Sequence, residues 1–287
     1  MSESVELLVW AVGSMAVLGL VFGVGLVLAA RALGAEEDPM VEKIEDRLPG
    51  INCGACGYAN CEQYARAVAE GEEVDLCVPG GQETAEALAE LMGVEVGDVE
   101  PMKAVVHCQG GTDNCGSNRF EYVGERDCRA ADITSGGPKD CLYGCLGFGS
   151  CAAECPDEAI SMDWERRLPV IDPDACTGCG VCVKACPRDL ISLIPKKYDM
   201  FLGCSSHDRG KAVKDICEVG CIACRLCVRK DPNEAIEMED QLPVLDYEKG
   251  DGDFRVAHDV CPMDCFVIQH PERHAVSAGA EAEAQEA

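Results

Sequence analysis

The chain has 287 residues, of which 22 are cysteine and only 5% are aromatic, and its 52 acidic against 24 basic residues give a net charge of −28. So much cysteine with so few aromatic side chains argues against one large apolar core and indicates two or three small domains, each stabilised by disulfides or metal. The negative charge repels phosphate groups and therefore excludes a nucleic-acid-binding protein.

Residues 1–34 are predicted to anchor the chain in the cell membrane as a single-pass protein. Residues 7–30 are 24 consecutive uncharged residues, enough to cross a bilayer core of ~30 Å as a helix. Glu3 and Glu6 stand where a signal peptide would be basic, so we expect the helix to be retained. Arg31 follows directly, and the positive-inside rule then places the soluble part in the cytoplasm. Cysteines there rarely form structural disulfides, which makes metal the default interpretation.

Residues 35–96 are predicted to form a small helical domain around four cysteines, which are Cys53, Cys56, Cys61 and Cys77. Apolar residues on one side of 62–70, and again of 84–92, predict two short helices. Gly54 and Gly57 alternate with the cysteines and let the backbone pass close to a bulky cofactor. We expect a 4Fe-4S cluster in this domain, with zinc as the alternative that four thiolates also allow.

Residues 97–140 form a glycine-rich connecting segment in which no helix or strand is predicted. Beyond it the sequence repeats. Residues 155–160 and 168–172 recur as 231–236 and 242–246, with the pattern of proline and apolar positions kept. Two copies of one supersecondary unit therefore follow each other.

We call residues 141–198 the first repeat and residues 199–272 the second repeat. Short apolar runs at 168–171 and 190–194 predict strands in the first repeat. The remaining residues, 273–287, are rich in Ala and Glu and are predicted to be a disordered acidic tail.

The first repeat contains the ferredoxin spacing C-x2-C-x2-C-x3-C-P at Cys176, Cys179, Cys182 and Cys186. In bacterial ferredoxins three of these thiolates bind one 4Fe-4S cluster and the fourth binds its neighbour. Zinc usually takes two cysteine pairs from separate loops, so the spacing favours iron and sulfur. The partner motif is stretched, with Phe148 where a middle cysteine is expected. Crossed ligation then predicts two sets: Cys141, Cys145, Cys151 and Cys186; and Cys155, Cys176, Cys179 and Cys182.

The second repeat retains only one such set, which is Cys221, Cys224, Cys227 and Cys261. Asp231 stands where the cysteine before proline is expected. The other three positions of the lost set are Gly250, Asp253 and Val256. Because the four missing cysteines would all bind the same cluster, the second repeat is predicted to bind one 4Fe-4S cluster.

Four cysteines outside these motifs are predicted to bind a further cluster, for a total of about five; they are Cys108, Cys128, Cys204 and Cys217. Buried free thiols are the alternative for these four. Cys115 and Cys265 are predicted to be ordinary thiols. The sequence lacks both the G-x-G-x-x-G and the G-x-x-x-x-G-K-[ST] motifs, so no nucleotide site is expected.

The order of these motifs resembles that of the B subunit of the Rnf-type ion-translocating electron transport complex, in its longer form. The resemblance rests on the single apolar amino-terminal segment, the run LPGINCGACGY at 48–58, Cys77 ahead of Pro-Gly-Gly at 79–81, and tandem ferredoxin motifs. A similar four-cysteine domain occurs in the corrinoid iron-sulfur protein of acetyl-CoA metabolism, so the domain alone is less specific than the order.

The resemblance implies an α+β protein with one transmembrane helix, a helical four-cysteine iron-sulfur domain and tandem ferredoxin-like modules of the βαββαβ type. It implies a membrane-bound relay that takes electrons from reduced ferredoxin and passes them to other membrane subunits and a flavin-bearing subunit. Those subunits couple electron flow to Na⁺ or H⁺ movement. We expect electrons to enter through the repeats and leave through Cys53 to Cys77, with no catalytic residue in this chain. The alternatives are an electron-input subunit of another membrane reductase, and a metal-stabilised scaffold or redox sensor.

Overall fold

The computed structural model describes residues 2–33, 38–249 and 254–269. The predicted acidic tail at 273–287, and two of the lost ligand positions, Gly250 and Asp253, lie outside the described residues. The chain divides into two compact units, Met1–Lys43 and Ile44–Ala287.

The first unit consists mainly of one long helix, α1 (Ser2–Leu33), followed by the start of α2 (Pro39–Glu45). Within α1, the stretch Val9–Ala29 is long and apolar enough to cross a membrane, and none of it is buried. An apolar helix with no protein neighbour to cover it is suited to a lipid environment, in which its backbone groups are satisfied internally.

The four-cysteine domain is built from two helices joined by a 3-10 turn; they are α3 (Cys61–Glu70), the turn Val78–Gly80, and α4 (Gly81–Met92). The structure confirms the helices predicted at 62–70 and 84–92. The Asn60 side chain caps α3 by accepting a hydrogen bond from the Gln63 amide at 2.8 Å. Tyr64 on α3 and Leu88 on α4 are fully buried, so each helix turns an apolar side into the domain.

The next part of the chain, which ends with the first repeat, has the element order β-α-α-β-β-α-β. Its elements are β1 (Met102–Val106), α5 (Cys128–Ile133), α6 (Ser150–Ala153), β2 (Ile160–Asp163), β3 (Leu168–Ile171), α7 (Val181–Ala185) and β4 (Ile191–Pro195). Strand β1 pairs antiparallel with β4, and β2 pairs antiparallel with β3. The first and last strands therefore form one sheet and the central hairpin another.

The second repeat has the same order of strands. Its elements are β5 (Met200–Leu202), α8 (Lys211–Lys214), α9 (Leu226–Lys230), β6 (Ile236–Glu239), β7 (Leu242–Leu245), α10 (Arg255–Asp259) and β8 (Phe266–Ile268). Strand β5 pairs with β8 and β6 pairs with β7, again antiparallel. The β2–β3 hairpin and the β6–β7 hairpin are closed by equivalent backbone hydrogen bonds. Asp172 N donates to Ala159 O, and Asp246 N donates to Ala235 O, each at 2.8 Å.

The segment 97–140 contains two elements that were not predicted. The apolar run in β1 buries Ala104 and Val105 and gives β4 its only partner strand among the described residues. Helix α5 begins where the Asp127 carboxylate accepts a hydrogen bond from the Ala130 amide at 2.9 Å. Residues that were expected to connect two domains therefore contribute an integral strand and helix to the first one.

The two repeats pack against each other through the β1–β4 sheet and the β5–β8 sheet. Val105 and Ile194 from the first sheet share a core with Phe201 from the second. Beside this core, the buried Lys103 ammonium forms an ion pair with Asp199 at 3.1 Å. This contact brings the cysteine loops of the two repeats close together.

Candidate iron-sulfur sites

The four cysteines of the amino-terminal domain face one another, and we call them site 1 (Cys53, Cys56, Cys61 and Cys77). Burial, followed by the other three thiols, raises the pKa of the Cys77 thiol to about 11. Asn52 Oδ1 accepts a hydrogen bond from the Cys61 amide at 2.8 Å and fixes the loop before α3. Four thiols that oppose one another's ionisation fit a cationic iron centre, which neutralises the thiolates.

Site 2 lies in the first repeat and contains Cys155, Cys176, Cys179 and Cys182. Burial raises the pKa of the Cys182 thiol to about 12, and the other three thiols of the site are among the groups that contribute to this rise. The Ala104 amide of β1 donates to the Cys176 sulfur at 3.5 Å. Strand β1, which was not predicted, therefore donates a hydrogen bond to a sulfur of this site.

Site 3 is a cavity with an empty volume of about 420 Å³ whose lining includes four cysteines: Cys128, Cys145, Cys151 and Cys186. Burial raises the pKa of Cys151 to about 12, and the neighbouring thiols of Cys128 and Cys186 contribute to this rise. The set grouped from the sequence had Cys141 in place of Cys128. Cys141 lies instead in the lining of a different cavity.

A local hydrogen-bond network explains why Cys128 lies at site 3. The Cys128 amide donates to Ser150 Oγ at 2.8 Å, and Ser150 Oγ donates to Asp127 Oδ2 at 2.7 Å. The start of α5 is thereby fixed beside the start of α6, one residue from Cys151. An aspartate N-cap before Cys128, followed by helix-forming residues, is a sequence pattern from which the start of α5 could have been predicted.

Site 4 is a cavity of about 460 Å³ between the two repeats, with five cysteines in its lining: Cys108, Cys115, Cys141, Cys204 and Cys217. Three of the four cysteines that the sequence left over meet here, and Cys141 takes the place of Cys128. A Cβ added to Gly110 would lie 3.2 Å from the Cys217 sulfur, so this glycine leaves room beside the thiols. Cys115 lies beside Cys217 and shares a thiol hydrogen bond with it, which lowers the pKa of Cys115 to about 6.

Site 5 is a cavity of about 350 Å³ in the second repeat, with Cys221, Cys224, Cys227, Cys261 and Cys265 in its lining. Burial, followed by the three thiols predicted as its partners, raises the pKa of Cys227 to about 11. Cys265 is 1% exposed, and its thiol beside Cys261 lowers the pKa of Cys261 to about 6. Cys115 and Cys265, both predicted to be ordinary thiols, thus each lie in a cavity lined by four other cysteines.

The cysteine sulfurs surround cavities rather than meeting at a point. Within the described ranges, no three His, Cys, Asp or Glu side chains form a group that could hold a single metal ion. A zinc ion needs sulfurs about 2.3 Å from one centre. At sites 3, 4 and 5 the cysteines line a cavity instead, which suits a larger, multi-iron group.

Backbone amides also point at several sulfurs. The Leu190 amide donates to Cys186 Sγ at 3.4 Å, and the Cys265 amide donates to Cys261 Sγ at 3.4 Å. Such N–H to sulfur bonds are among the factors that set the potential of an iron-sulfur cluster. The environment of these thiols therefore fits the 4Fe-4S group that the spacing predicts.

Neighbouring sites are linked by direct contacts. The Cys221 amide at site 5 donates to the Cys204 sulfur of site 4 at 3.2 Å. The Cys145 amide at site 3 donates to the Cys108 sulfur of site 4 at 3.3 Å. Helix α7 carries Cys182 of site 2, and Cys186 of site 3 directly follows it.

Site 1 joins the same series at site 2. The Lys184 ammonium, next to the Cys182 loop, donates to the Cys53 carbonyl at 2.7 Å. The Cys53 thiol also raises the pKa of Cys179, although burial is the larger cause. The sites therefore follow one another in the order 5, 4, 3, 2, 1.

A buried lysine lies between sites 3 and 4. Lys139 is 8% exposed, and its ammonium donates to the carbonyls of Gly110 and Cys145, the second at 3.1 Å. No ion pair joins it to a carboxylate in the described part of the chain. A buried cation needs a counter-charge, and thiolates at the two sites would supply one if they bind clusters.

Comparison with known proteins identifies the family. Residues 48–79 match the family described as "Putative Fe-S cluster", and residues 143–193 match the family described as "4Fe-4S dicluster domain". The chain is 43% identical over 256 residues to the B subunit of the Na⁺-translocating ferredoxin:NAD⁺ oxidoreductase complex of Acetobacterium woodii, covering 89% of this chain and 76% of the relative. The chain belongs to the family of B subunits of ion-translocating oxidoreductase complexes.

Two other members of this family support the conclusion. The B subunit of the proton-translocating ferredoxin:NAD⁺ oxidoreductase complex of Clostridium ljungdahlii is 44% identical, covering 81% of this chain and 82% of the relative. The B subunit of the ion-translocating oxidoreductase complex of Methanosarcina acetivorans is 39% identical, covering 85% and 92%. The chain is thus an iron-sulfur electron-transfer subunit of an ion-translocating complex, and the other subunits of that complex are its partners.

Proposed function

We propose that this chain carries electrons from reduced ferredoxin through five 4Fe-4S clusters to the other subunits of the complex. The unbroken series of five cysteine sites carries this proposal, since each site contacts the next. The relatives from Acetobacterium and Clostridium are named ferredoxin:NAD⁺ oxidoreductase subunits, which supports ferredoxin as the donor. A flavin-bearing subunit and NAD⁺ lie downstream of this chain, and Na⁺ or H⁺ is the coupling ion.

The proposed ligands differ from the sequence-based sets by one exchange, in which Cys128 and Cys141 trade places. Site 1 keeps Cys53, Cys56, Cys61 and Cys77, and site 2 keeps Cys155, Cys176, Cys179 and Cys182. Site 3 uses Cys128, Cys145, Cys151 and Cys186. Site 4 uses Cys108, Cys141, Cys204 and Cys217, and site 5 uses Cys221, Cys224, Cys227 and Cys261. Cys115 and Cys265 are left as additional thiols, and the total is about 20 irons.

Each bound cluster supplies a one-electron redox centre. The chain holds it by four thiolates, excludes water by burial, and directs amide donors at the sulfurs, and these are the factors that set its potential. We assign both repeats to the βαββαβ fold of bacterial ferredoxins, supported by their matching strand order. The second repeat keeps the fold but has lost one of the two clusters.

Electrons enter at site 5 and leave at site 1. Site 1 follows closely in sequence after the apolar helix, which ties it to the membrane and to the membrane subunits. The second repeat lies at the other end of the series, where a soluble donor has access from the cytoplasm. Site 4 is then an obligatory step between the repeats.

Two cysteine variants at opposite ends of the series test this direction. Cys61→Ser at site 1 should leave sites 2 to 5 reducible by ferredoxin while turnover of the complex stops. Cys224→Ser at site 5 should instead slow the reduction of all the remaining clusters by ferredoxin. Rapid-mixing absorbance and low-temperature EPR on the intact complex measure both. The reverse pattern would place electron input at site 1, and ferredoxin reduction that is far slower than turnover in the unmodified complex would favour a scaffold or sensor.

A further inference from the structure

The second repeat carries a cluster of exposed positive charges in a chain whose net charge is −28. Residues 209–230 contain six basic and only two acidic residues. All six basic side chains are exposed; they are Arg209, Lys211, Lys214, Arg225, Arg229 and Lys230. We call these six the cation patch. None of them forms an ion pair with a carboxylate among the described residues.

The cation patch surrounds the cysteine loop of site 5. Arg225 lies between Cys224 and Cys227, with a positive φ of 60° at the start of α9. Arg229 donates from its guanidinium to the Cys224 carbonyl at 3.3 Å. The charges on α9 are therefore held directly over the loop that carries half-buried Cys224.

Helix α8 brings the other cations to the same loop. The Gly210 amide donates to the Ile222 carbonyl at 3.1 Å, which places the start of α8 beside residues 221–224. Buried Val213 lies against Gly220, where an added Cβ would collide with it. Lys211 and Lys214 extend from this docked helix into solvent.

The first repeat does not have these charges. When the Cys-Pro at 155–156 is aligned with the Asp-Pro at 231–232, Ala153 and Glu154 occupy the positions of Arg229 and Lys230. Glu154 forms an ion pair with Arg129 at 3.6 Å. The cations are therefore a property of the second repeat and not of the repeated fold.

We propose that the cation patch is the docking surface for an acidic electron-carrying protein, which delivers its electron at the Cys224 side of site 5. This inference rests on the proposed function, in which site 5 receives electrons. The chain as a whole repels an acidic partner, whereas the patch attracts it, so the two fields together orient the partner's acidic face towards site 5. The interface is small and transient, as is usual for electron-transfer encounters.

Charge reversal in the patch provides the test. The triple variant Arg225→Glu, Arg229→Glu and Lys230→Glu is compared with the unmodified chain in the intact complex, placed in nanodiscs of uncharged lipid. The probe is an acidic two-cluster ferredoxin, reduced beforehand and mixed at increasing salt. We expect the second-order rate constant for cluster reduction at low salt to fall at least tenfold and its dependence on salt to flatten. The variant with glutamine at the same three positions should lower this rate constant by a smaller factor.

Two controls separate docking from damage to the clusters. Arg47→Glu, Arg126→Glu and Lys197→Glu change the same charge at exposed positions outside the patch and should alter the rate less than threefold. Photoreduced deazariboflavin is small and uncharged. It should therefore reduce the unmodified chain, the patch triple and the control triple at equal rates.

The outcomes distinguish this inference from the function beneath it. If the patch triple is reduced by ferredoxin as fast as the unmodified chain, or only as slowly as the control triple, the docking surface lies elsewhere while the electron relay stands. An effect of the triple that appears only in anionic nanodiscs would assign the patch to lipid and overturn the proposal. Failure of ferredoxin to reduce the unmodified complex would overturn the proposed function itself.

Discussion

Asp231 stands where a cysteine ligand is expected, and its hydrogen bonds in the structure indicate what it does instead. Its Oδ2 accepts hydrogen bonds from the Ala235 amide at 2.6 Å and the Ile236 amide at 2.9 Å, and Oδ1 accepts one from the Asn233 amide at 3.1 Å. Cysteine ligands elsewhere use the same pattern, since Cys186 accepts from the amide four residues later. The carboxylate therefore satisfies amides that would otherwise point at a cluster sulfur.

Asp231→Ala removes this acceptor without touching site 5. Ala235 and Ile236 are 1% and 2% exposed, so water does not readily replace the lost partner. An unsatisfied buried amide costs about 1–3 kcal/mol, and two of them give a local destabilisation of about 2–6 kcal/mol. Since each 1.4 kcal/mol is a factor of ten, the two amides should exchange with deuterium roughly 30 to 20,000 times faster.

Hydrogen-deuterium exchange on the intact protein, together with iron analysis, measures both halves of this prediction. The iron content should remain unchanged because Asp231 is not among the residues lining the site 5 cavity. Asp231→Asn is the matched control, since its amide oxygen still accepts from Ala235 and Ile236, and it should cost about 1 kcal/mol. Unchanged exchange in Asp231→Ala, or a loss of four irons, would refute the reasoning.

Three further predictions concern the cysteine sites. In an iron assay, the double variant Cys128→Ser with Cys151→Ser should lose the irons of one cluster. The double variant Cys128→Ser with Cys204→Ser should lose the irons of two clusters. The sequence-based ligand sets predict the opposite result for both variants. Lys139→Met should lower the potential of the cluster at site 4, by roughly 59 mV if reduction becomes tenfold less favourable, while Lys139→Arg keeps the charge; EPR redox titration that finds no shift contradicts this. Cys265→Ala should leave the iron content unchanged, and loss of the site 5 EPR signal would make Cys265 a ligand.

Local patterns in the sequence were sufficient for much of the fold. The apolar stretch at 7–30 predicted α1, and one-sided apolar spacing predicted α3 and α4 close to their observed bounds. The sequence repeat at 155–172 and 231–246 predicted two copies of one supersecondary unit, and in the structure each copy contains a hairpin with the same pairing. Each of these elements is determined by residues close together in the chain.

Strand β1, which depends on a distant partner, was not predicted. Strand β1 is five residues long and pairs with β4, which lies about 90 residues later in the chain. The exchange of Cys128 and Cys141 has the same origin. Spacing placed Cys141 with its sequence neighbours, whereas the bond from the Cys128 amide to Ser150 folds α5 back onto α6. Sequence distance within a cysteine motif does not reveal such a tertiary contact.

The position of site 4 between the repeats has a consequence for biogenesis. Its cavity is lined by cysteines from Cys108 to Cys217, on segments that meet only when the β1–β4 and β5–β8 sheets have packed together. The cysteines of sites 2 and 5 each come from a single repeat, so those sites can form as each repeat folds. If the proposed cluster binds at site 4, it can be inserted only after the two repeats have packed together. We therefore expect iron limitation to affect site 4 before sites 2 and 5, which would break the path while both of its ends stay loaded.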